Sequence, residues 1–235
     1  AFYHDSAASI SIDGEVICAA QEERFTRVKH DKSFPKNAIK FCLDYSKVNI
    51  EDIDKVTFYE DPQLKFMRLV DTYFRFAPRT ISLFFRTFIP WFFKKRFLLK
   101  TLKNHFMESF DYHLTKNKLF KVEHHLSHAA SAFIPSPYSK SAILVMDGVG
   151  EFASTSIWKG EDKSIKLMEK INFPHSIGLL YSAFTYYTGF KVNSGEYKLM
   201  GLAPYGIPKY SKLIKEKLIK IETNGRYCLL YTSPS

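Results

Sequence analysis

His124 and His128 stand four residues apart, and side chains at that spacing on a helix project from one face, so two imidazoles can converge on one ion. Asp147 follows the apolar run 142–146 and precedes Gly148, which puts a carboxylate at a strand end facing a turn. Two imidazoles and one carboxylate suit a divalent transition metal with open positions, iron among the candidates. His125, three before His128, competes for the same role, and spacing leaves that register open. A His-x-x-x-His pair taken alone is more often packing or surface coincidence than a ligand pair.

Three further groups could contact a substrate. Tyr3-His4-Asp5-Ser6-Ala7-Ala8 opens the chain's first hairpin; polar side chains and amides at a strand-to-turn junction can hold phosphate oxygens, or serve only the turn. Residues 21–31 form a mixed-charge loop in which Lys29 can neutralise a phosphate or acyl-phosphate oxygen as a point charge. Residues 193–206 include Gly195, Gly201 and Gly206, which let backbone approach a ligand and offer amide donors to an anion. No Gly-x-x-x-x-Gly-Lys-[Ser/Thr] or Gly-x-Gly-x-x-Gly pattern occurs, so nucleotide binding does not follow from a general motif.

The elements that must position these residues read as follows. Residues 7–12 and 15–20 alternate around Asp13-Gly14, a pair suited to a tight primed turn, and predict an antiparallel hairpin. Pro35 is expected as the first residue of a helix running to Lys47. A short strand follows at 55–59. Residues 124–133, with Ala129, Ala130 and Ala132, read as a helix that stops before Pro135. The run 142–146 reads as a buried strand that turns at Asp147-Gly148-Val149-Gly150 and returns over 152–158, with 171–173 as an edge strand. Residues 179–187 read as an apolar helix and 210–221 as a Lys-rich amphipathic segment. Two hairpins leading to helices in separate halves of the chain predict a duplicated α/β architecture with mixed sheets.

Hydrophobic residues make up 46% of the 235, and aromatic ones 16%, enough to build a core. Cys18, Cys42 and Cys228 show no paired spacing, so neither a disulfide framework nor a zinc ribbon is expected, and no secretory signal is visible; the cytoplasm is the expected compartment. The net charge of +10 lies entirely in residues 62–121, where 13 Lys and Arg meet 3 acids. That segment also holds the aromatic run 84–93, interrupted by Arg86 and Pro90. It is too broken for a bilayer span of about 20 apolar residues, and reads as a basic amphipathic helical insertion. A nucleic-acid or membrane-surface binding module is the rival reading from a different class.

Five blocks in order carry a family resemblance: His4 to Ala8, Gln21 to Arg27, Glu123 to Phe133, Asp147 to Glu151 and Lys191 to Gly206. Together they resemble the NodU-type ATP-dependent O-carbamoyltransferases over residues 1 to about 226. The resemblance implies an actin-like, or sugar-kinase-like, duplicated α/β fold, incomplete here and carrying the helical basic insertion. The implied subdomains are 1–140 and 141–227, followed in the full chain by a YrdC-like domain. It implies carbamoyl phosphate and ATP as substrates, carbamoyl-adenylate as the donor, and a small-molecule hydroxyl as the acceptor, with no nucleic-acid partner and a homodimer as one allowed assembly. By similarity His124, His128 and Asp147 map onto metal ligands, with Fe2+ as the first candidate and a further Asp ligand expected beyond residue 227. His4 and Lys29 map onto acceptor and carbamoyl-adenylate contacts, and act as the catalytic residues. Ser176, Gly178, Asn193, Gly195 and Glu196 fall near the nucleotide side. A tRNA threonylcarbamoyl-transferase relative, sharing fold and His-x-x-x-His motif, is the alternative enzyme. Residues 228–235 resemble a translated sequencing adapter, so Leu229, Leu230 and Tyr231 are expected to lack a dedicated pocket.

Overall fold

In the computed structural model, which describes residues 1–75, 77, 78, 82, 86 and 98–230, Asp13 and Gly14 both take positive φ (52° and 90°). They turn β1 (Ala7–Ile12) back onto β2 (Glu15–Gln21), antiparallel, with Ala7 opposite Gln21 and Ile12 opposite Glu15. A one-turn helix, α1 (Glu23–Thr26), ends on Arg27 at φ 59°. The next helix, α2 (Lys36–Ser46), begins one residue later than expected: Pro35 is its cap and not its first helical residue. The carboxylate of Glu22 closes that end, accepting from Asn37 N (3.2 Å), Asn37 Nδ2 (2.6 Å) and Ala38 N (2.8 Å). Glu22 is buried, and this helix start is what it satisfies. Ala38 and Cys42 face inward from α2, which packs on β1 and β2.

The strand β3 (Val56–Phe58) pairs with β4 (Leu119–Lys121), which the sequence did not suggest. Between them the basic segment is helical over α3 (Pro62–Arg75) and α4 (Leu98–Phe110). Leu98, Leu102 and Phe106, at helical spacing, are the buried stripe of α4. The aromatic run 84–93 lies outside the described residues, apart from Arg86.

After α5 (His124–Phe133) comes a three-stranded antiparallel sheet of β5 (Lys140–Met146), β6 (Ala153–Glu161) and β7 (Ser164–Asn172). The expected edge strand at 171–173 is therefore nine residues long and starts earlier. The apolar run in β5 is covered on one face only: Ile143 and Val145 are buried while Leu144 and Met146 are exposed. Ile143, Val145 and Trp158 form a core with Ala129 and Phe133 of α5. Gly160 makes room for it, since a Cβ there would come within 2.7 Å of the Phe133 ring.

The chain continues through α6 (Ile177–Tyr187), α7 (Glu196–Leu202) and α8 (Ser211–Lys217) to a last hairpin, β8 (Ile219–Ile221) with β9 (Tyr227–Leu229). Here an expectation fails. Leu229 is fully buried, because Leu229 opposite Ile219 turns its side chain inward and its N–H donates to His175 Nδ1 at 3.1 Å. Leu230 is 38% exposed, and Tyr231 lies outside the described residues. The chain divides into two compact units, Ala1–Phe58 with Ser82–Phe120, and Tyr59–Ile81 with Lys121–Ser235. The helix α5 falls in the same unit as β5 to β7.

Candidate metal centre

The small residues of α5 let the helix lie against the sheet, with Ala129, Phe133 and His125 turned inward. His125 Nδ1 is 2.7 Å from Ser156 Oγ, which also accepts from Trp158 Nε1 at 2.7 Å. Burial, aided by the charges of His124, His128 and Lys170 against that of Asp147, brings the His125 pKa down to about 4. His125 is therefore a neutral core residue, and it is not part of the group of donor atoms formed by His124, His128 and Asp147. His124 and His128 occupy the other side of the helix.

Asp147 directly follows β5, and its N–H donates to Ser154 O at 2.9 Å. Its Oδ1 accepts from Gly148 N (2.6 Å), and Oδ2 lies 2.9 Å from His124 Nε2. His128 Nε2 lies 3.1 Å from the same His124 nitrogen, and one donor atom from each of the three residues falls within 4.8 Å of the others. Burial opposes ionisation of Asp147, but the His124 hydrogen bond and charge, with the Gly148 N–H, lower its pKa to about 2. Burial likewise opposes charge on His124, and there the Asp147 carboxylate, helped by Glu151 and Glu60, prevails and raises the pKa. His128 is lowered by burial and by His124, which favours its neutral form.

Bonds of about 2.0 to 2.2 Å to a divalent transition metal place adjacent ligand atoms about 3 Å apart. The His124–Asp147 and His124–His128 separations, 2.9 and 3.1 Å, are of that size, and all three donor atoms lie within 4.8 Å of one another. Nitrogen and oxygen donors in this ratio fit such an ion.

The turn that carries Asp147 is held by residues that sequence reasoning did not assign to it. Ser176 Oγ, fully buried, reaches Gly148 O (2.6 Å) and Asp147 O (3.1 Å) and accepts from Leu179 N (3.0 Å) as the cap of α6. A Cβ on Gly178 would meet Asp147 O at 2.6 Å and Gly148 N at 2.7 Å, so the start of α6 lies directly on the turn. The buried carboxylate of Glu151 accepts from His124 N (3.0 and 3.1 Å) and Asp61 N (2.8 Å). Arg68 Nη1 donates to Gly150 O at 2.6 Å. Metal-binding histidines are commonly oriented by a hydrogen bond at the second ring nitrogen; His124 Nδ1 is buried with no such partner among the described residues. The His124 backbone N–H is held by Glu151, its Nε2 lies against Asp147 and His128, and its ring centroid is 5.6 Å from that of Tyr59. The signal for Glu151 was an acid closing a glycine-rich turn; nothing local marks Ser156 or Arg68.

The remaining expected residues fall in two places. Asn193, Gly195 and Glu196 make a closed loop: Glu196 Oε1 accepts from Asn193 N (3.0 Å) and Ser182 Oγ (3.1 Å), and Oε2 from Gly195 N (3.2 Å). The Asn193 N–H is the main cause of a lowered Glu196 pKa. These amides are thus engaged by the chain's own carboxylate. Asn193 takes φ 66°, and a Cβ on Gly195 would reach Lys191 O at 2.6 Å. His4 and the exposed Lys29 belong to the other unit, where residues 1–6 run beside 31–33.

The family described as Carbamoyltransferase N-terminus matches residues 1–232. The chain belongs to that carbamoyltransferase family. An uncharacterised protein of Synechocystis sp., sll1178, is 52% identical over 233 residues, covering 97% of this chain and 37% of the relative. The nodulation protein NolNO of Sinorhizobium fredii is 34% identical over 226 residues, covering 96% of this chain and 31% of its own length. An uncharacterised protein of Methanocaldococcus jannaschii, MJ1058, is 28% identical over 278 residues. The chain therefore spans about a third of the length of the first two of these relatives. No helix among the described residues is long and apolar enough to cross a membrane.

Proposed function

We propose that this chain is the acceptor-side part of an ATP-dependent O-carbamoyltransferase in which His124, His128 and Asp147 hold a divalent metal, iron(II) first among the candidates. The observation that carries the reading is the meeting of two imidazole nitrogens and a strand-end carboxylate in a chain of the carbamoyltransferase family. An actin-like fold agrees with a hairpin and a helix packed on it in each unit, β1–β2 with α2 and β5–β6–β7 with α5.

In this reading carbamoyl phosphate and ATP give carbamoyl-adenylate on a YrdC-like domain elsewhere in the full polypeptide. A hydroxyl oxygen of a small-molecule acceptor then attacks the carbamoyl carbon. A C–O bond forms, the bond between that carbon and the phosphate oxygen breaks, and AMP leaves with the electron pair. His4 positions the hydroxyl and takes its proton, as a general base within reach must. Lys29 offsets the charge on the departing phosphate. A metal bound at the histidine pair would supply Lewis acidity. Ser176, Gly178 and Glu151 keep the Asp147 carboxylate and His124 at fixed separation, so the site needs little reorganisation.

The test is metal content and transfer measured together on the intact polypeptide that carries this chain. Asp147→Ala and His128→Gln are expected to lower affinity for the metal by at least roughly 10- to 100-fold, the effect usual for residues merely supporting a ligand. Formation of carbamoylated product from labelled carbamoyl phosphate should fall with metal content. Unchanged metal stoichiometry in both variants would overturn the metal assignment.

A further inference from the structure

In the first unit, Phe2 N donates to Lys32 O and Ser6 N to Asp31 O, both at 2.8 Å, so that His4, Asp5 and residues 29–31 share one loop cluster. Asp5 and His30 both take left-handed backbone, φ 48° and 56°. Each oxygen of the Asp5 carboxylate is engaged by a different imidazole: Oδ2 lies 2.7 Å from His4 Nδ1, and Oδ1 lies 3.0 Å from His30 Nδ1. An ionised carboxylate can only accept. Both Nδ1 atoms must therefore donate, and each neutral ring keeps its lone pair on Nε2. The Tyr3 ring, 4.5 Å from that of His4, restricts the imidazole further. His30 is held from its backbone as well, its N–H donating to Glu23 Oε2 at 3.0 Å. The Asp5 carboxyl lies below its ordinary range, chiefly through His30 and then His4. Half of the His4 side chain remains exposed.

We infer that Asp5 is a positioning residue that fixes His4 in the Nδ1–H tautomer, with His30 as the second arm of the same clamp, so that His4 Nε2 faces the acceptor hydroxyl as a base. The inference rests on the carbamoyl-transfer reading for its chemistry, and on the two hydrogen bonds for its geometry. In the step it supports, the hydroxyl proton moves to His4 Nε2, and the resulting imidazolium is stabilised by the Asp5 carboxylate through Nδ1–H. A carboxylate shared by two imidazoles is held from both sides, so His4 cannot rotate without breaking its bond to it.

The test uses the intact polypeptide carrying this chain, labelled with 15N at histidine, as wild type, Asp5→Asn and His30→Asn. Asparagine tolerates the left-handed backbone at both positions, and backbone amide spectra check that each variant folds. Wild-type His4 is expected to carry its proton on Nδ1. Asp5→Asn should produce a mixture of tautomers at His4, with kcat down on the order of 10- to 100-fold, within the range general-base effects span, and KM for the acceptor little changed. His30→Asn should give a smaller fall in kcat with the His4 tautomer retained. A wild-type His4 protonated on Nε2, or a tautomer unmoved by Asp5→Asn, overturns the clamp. A tautomer change without any change in kcat overturns its role in transfer. Absence of carbamoyl transfer in the wild type sinks the chemical reading alone, because the tautomer measurement still decides the clamp.

Discussion

Glu151 connects the helix that carries both histidines to the turn that carries Asp147, and its removal separates metal geometry from general stability. Glu151→Ala leaves the His124 and Asp61 amides without their acceptor. A buried donor left unsatisfied costs about 1 to 3 kcal/mol, and loss of a supporting residue lowers metal affinity roughly 10- to 100-fold. Denaturant midpoints and a metal titration on the same preparation check both numbers. Stability lost with affinity retained would make Glu151 a structural residue only. The histidine pair itself was legible, since spacing of four on a helix is a local property. The choice between His124 and His125 was not, because neighbours on a helix differ by only about 100° and the partners that draw His125 inward, Ser156 and Trp158, lie on another strand.

Among the elements, the first hairpin and α2 were readable from Asp13-Gly14, alternation and Pro35, all short-range signals. The strand β7 was not, since its exposed positions carry Lys166, Met168, Glu169 and Lys170 and its pairing with β6 shifts register twice, which interrupts the alternation. The role of α6 was also hidden: its first turn buttresses Asp147 through Ser176 and Gly178, a contact of residues about 30 apart in sequence. Gly178→Ala would push a methyl into the Asp147 carbonyl, and overpacking of this kind costs about 1 to 3 kcal/mol. Weaker metal binding should accompany it, readable by titration; a nucleotide contact at Gly178 would instead leave metal affinity intact. The last hairpin makes a separate prediction. Leu229→Ala, at a fully buried site, is expected to cost about 2 to 5 kcal/mol, whereas Leu230→Ala on the half-open neighbour should cost about 0.5 kcal/mol. Equal, small effects in chemical denaturation would mean that β9 contributes no packing.

For the molecule as a whole, the α/β class followed from hairpins interleaved with helices. The helix α5 joins β5 through side chains whose common face only folding defines. The same scale governs alkaline stability, where one buried thiol gives a signed expectation. Cys42 Sγ lies 3.6 Å from Ala8 O and so joins α2 to β1. Burial first, and the neighbouring Cys18 second, push its pKa from 9.0 up to about 12. In the unfolded chain the thiol loses its proton above an ordinary value of about 8.5 to 9, whereas the folded chain retains it. The native state therefore binds more protons between roughly pH 9 and 12, and stability must fall as pH rises through that window. Lysines and tyrosines titrate over the same range, so the comparison is wild type against Cys42→Ala. The alanine variant loses packing at every pH but not the thiol's proton, and the wild-type advantage in unfolding free energy should shrink from pH 8.5 towards pH 11. Parallel pH profiles for the two proteins would mean that the thiol is accessible enough to ionise in place.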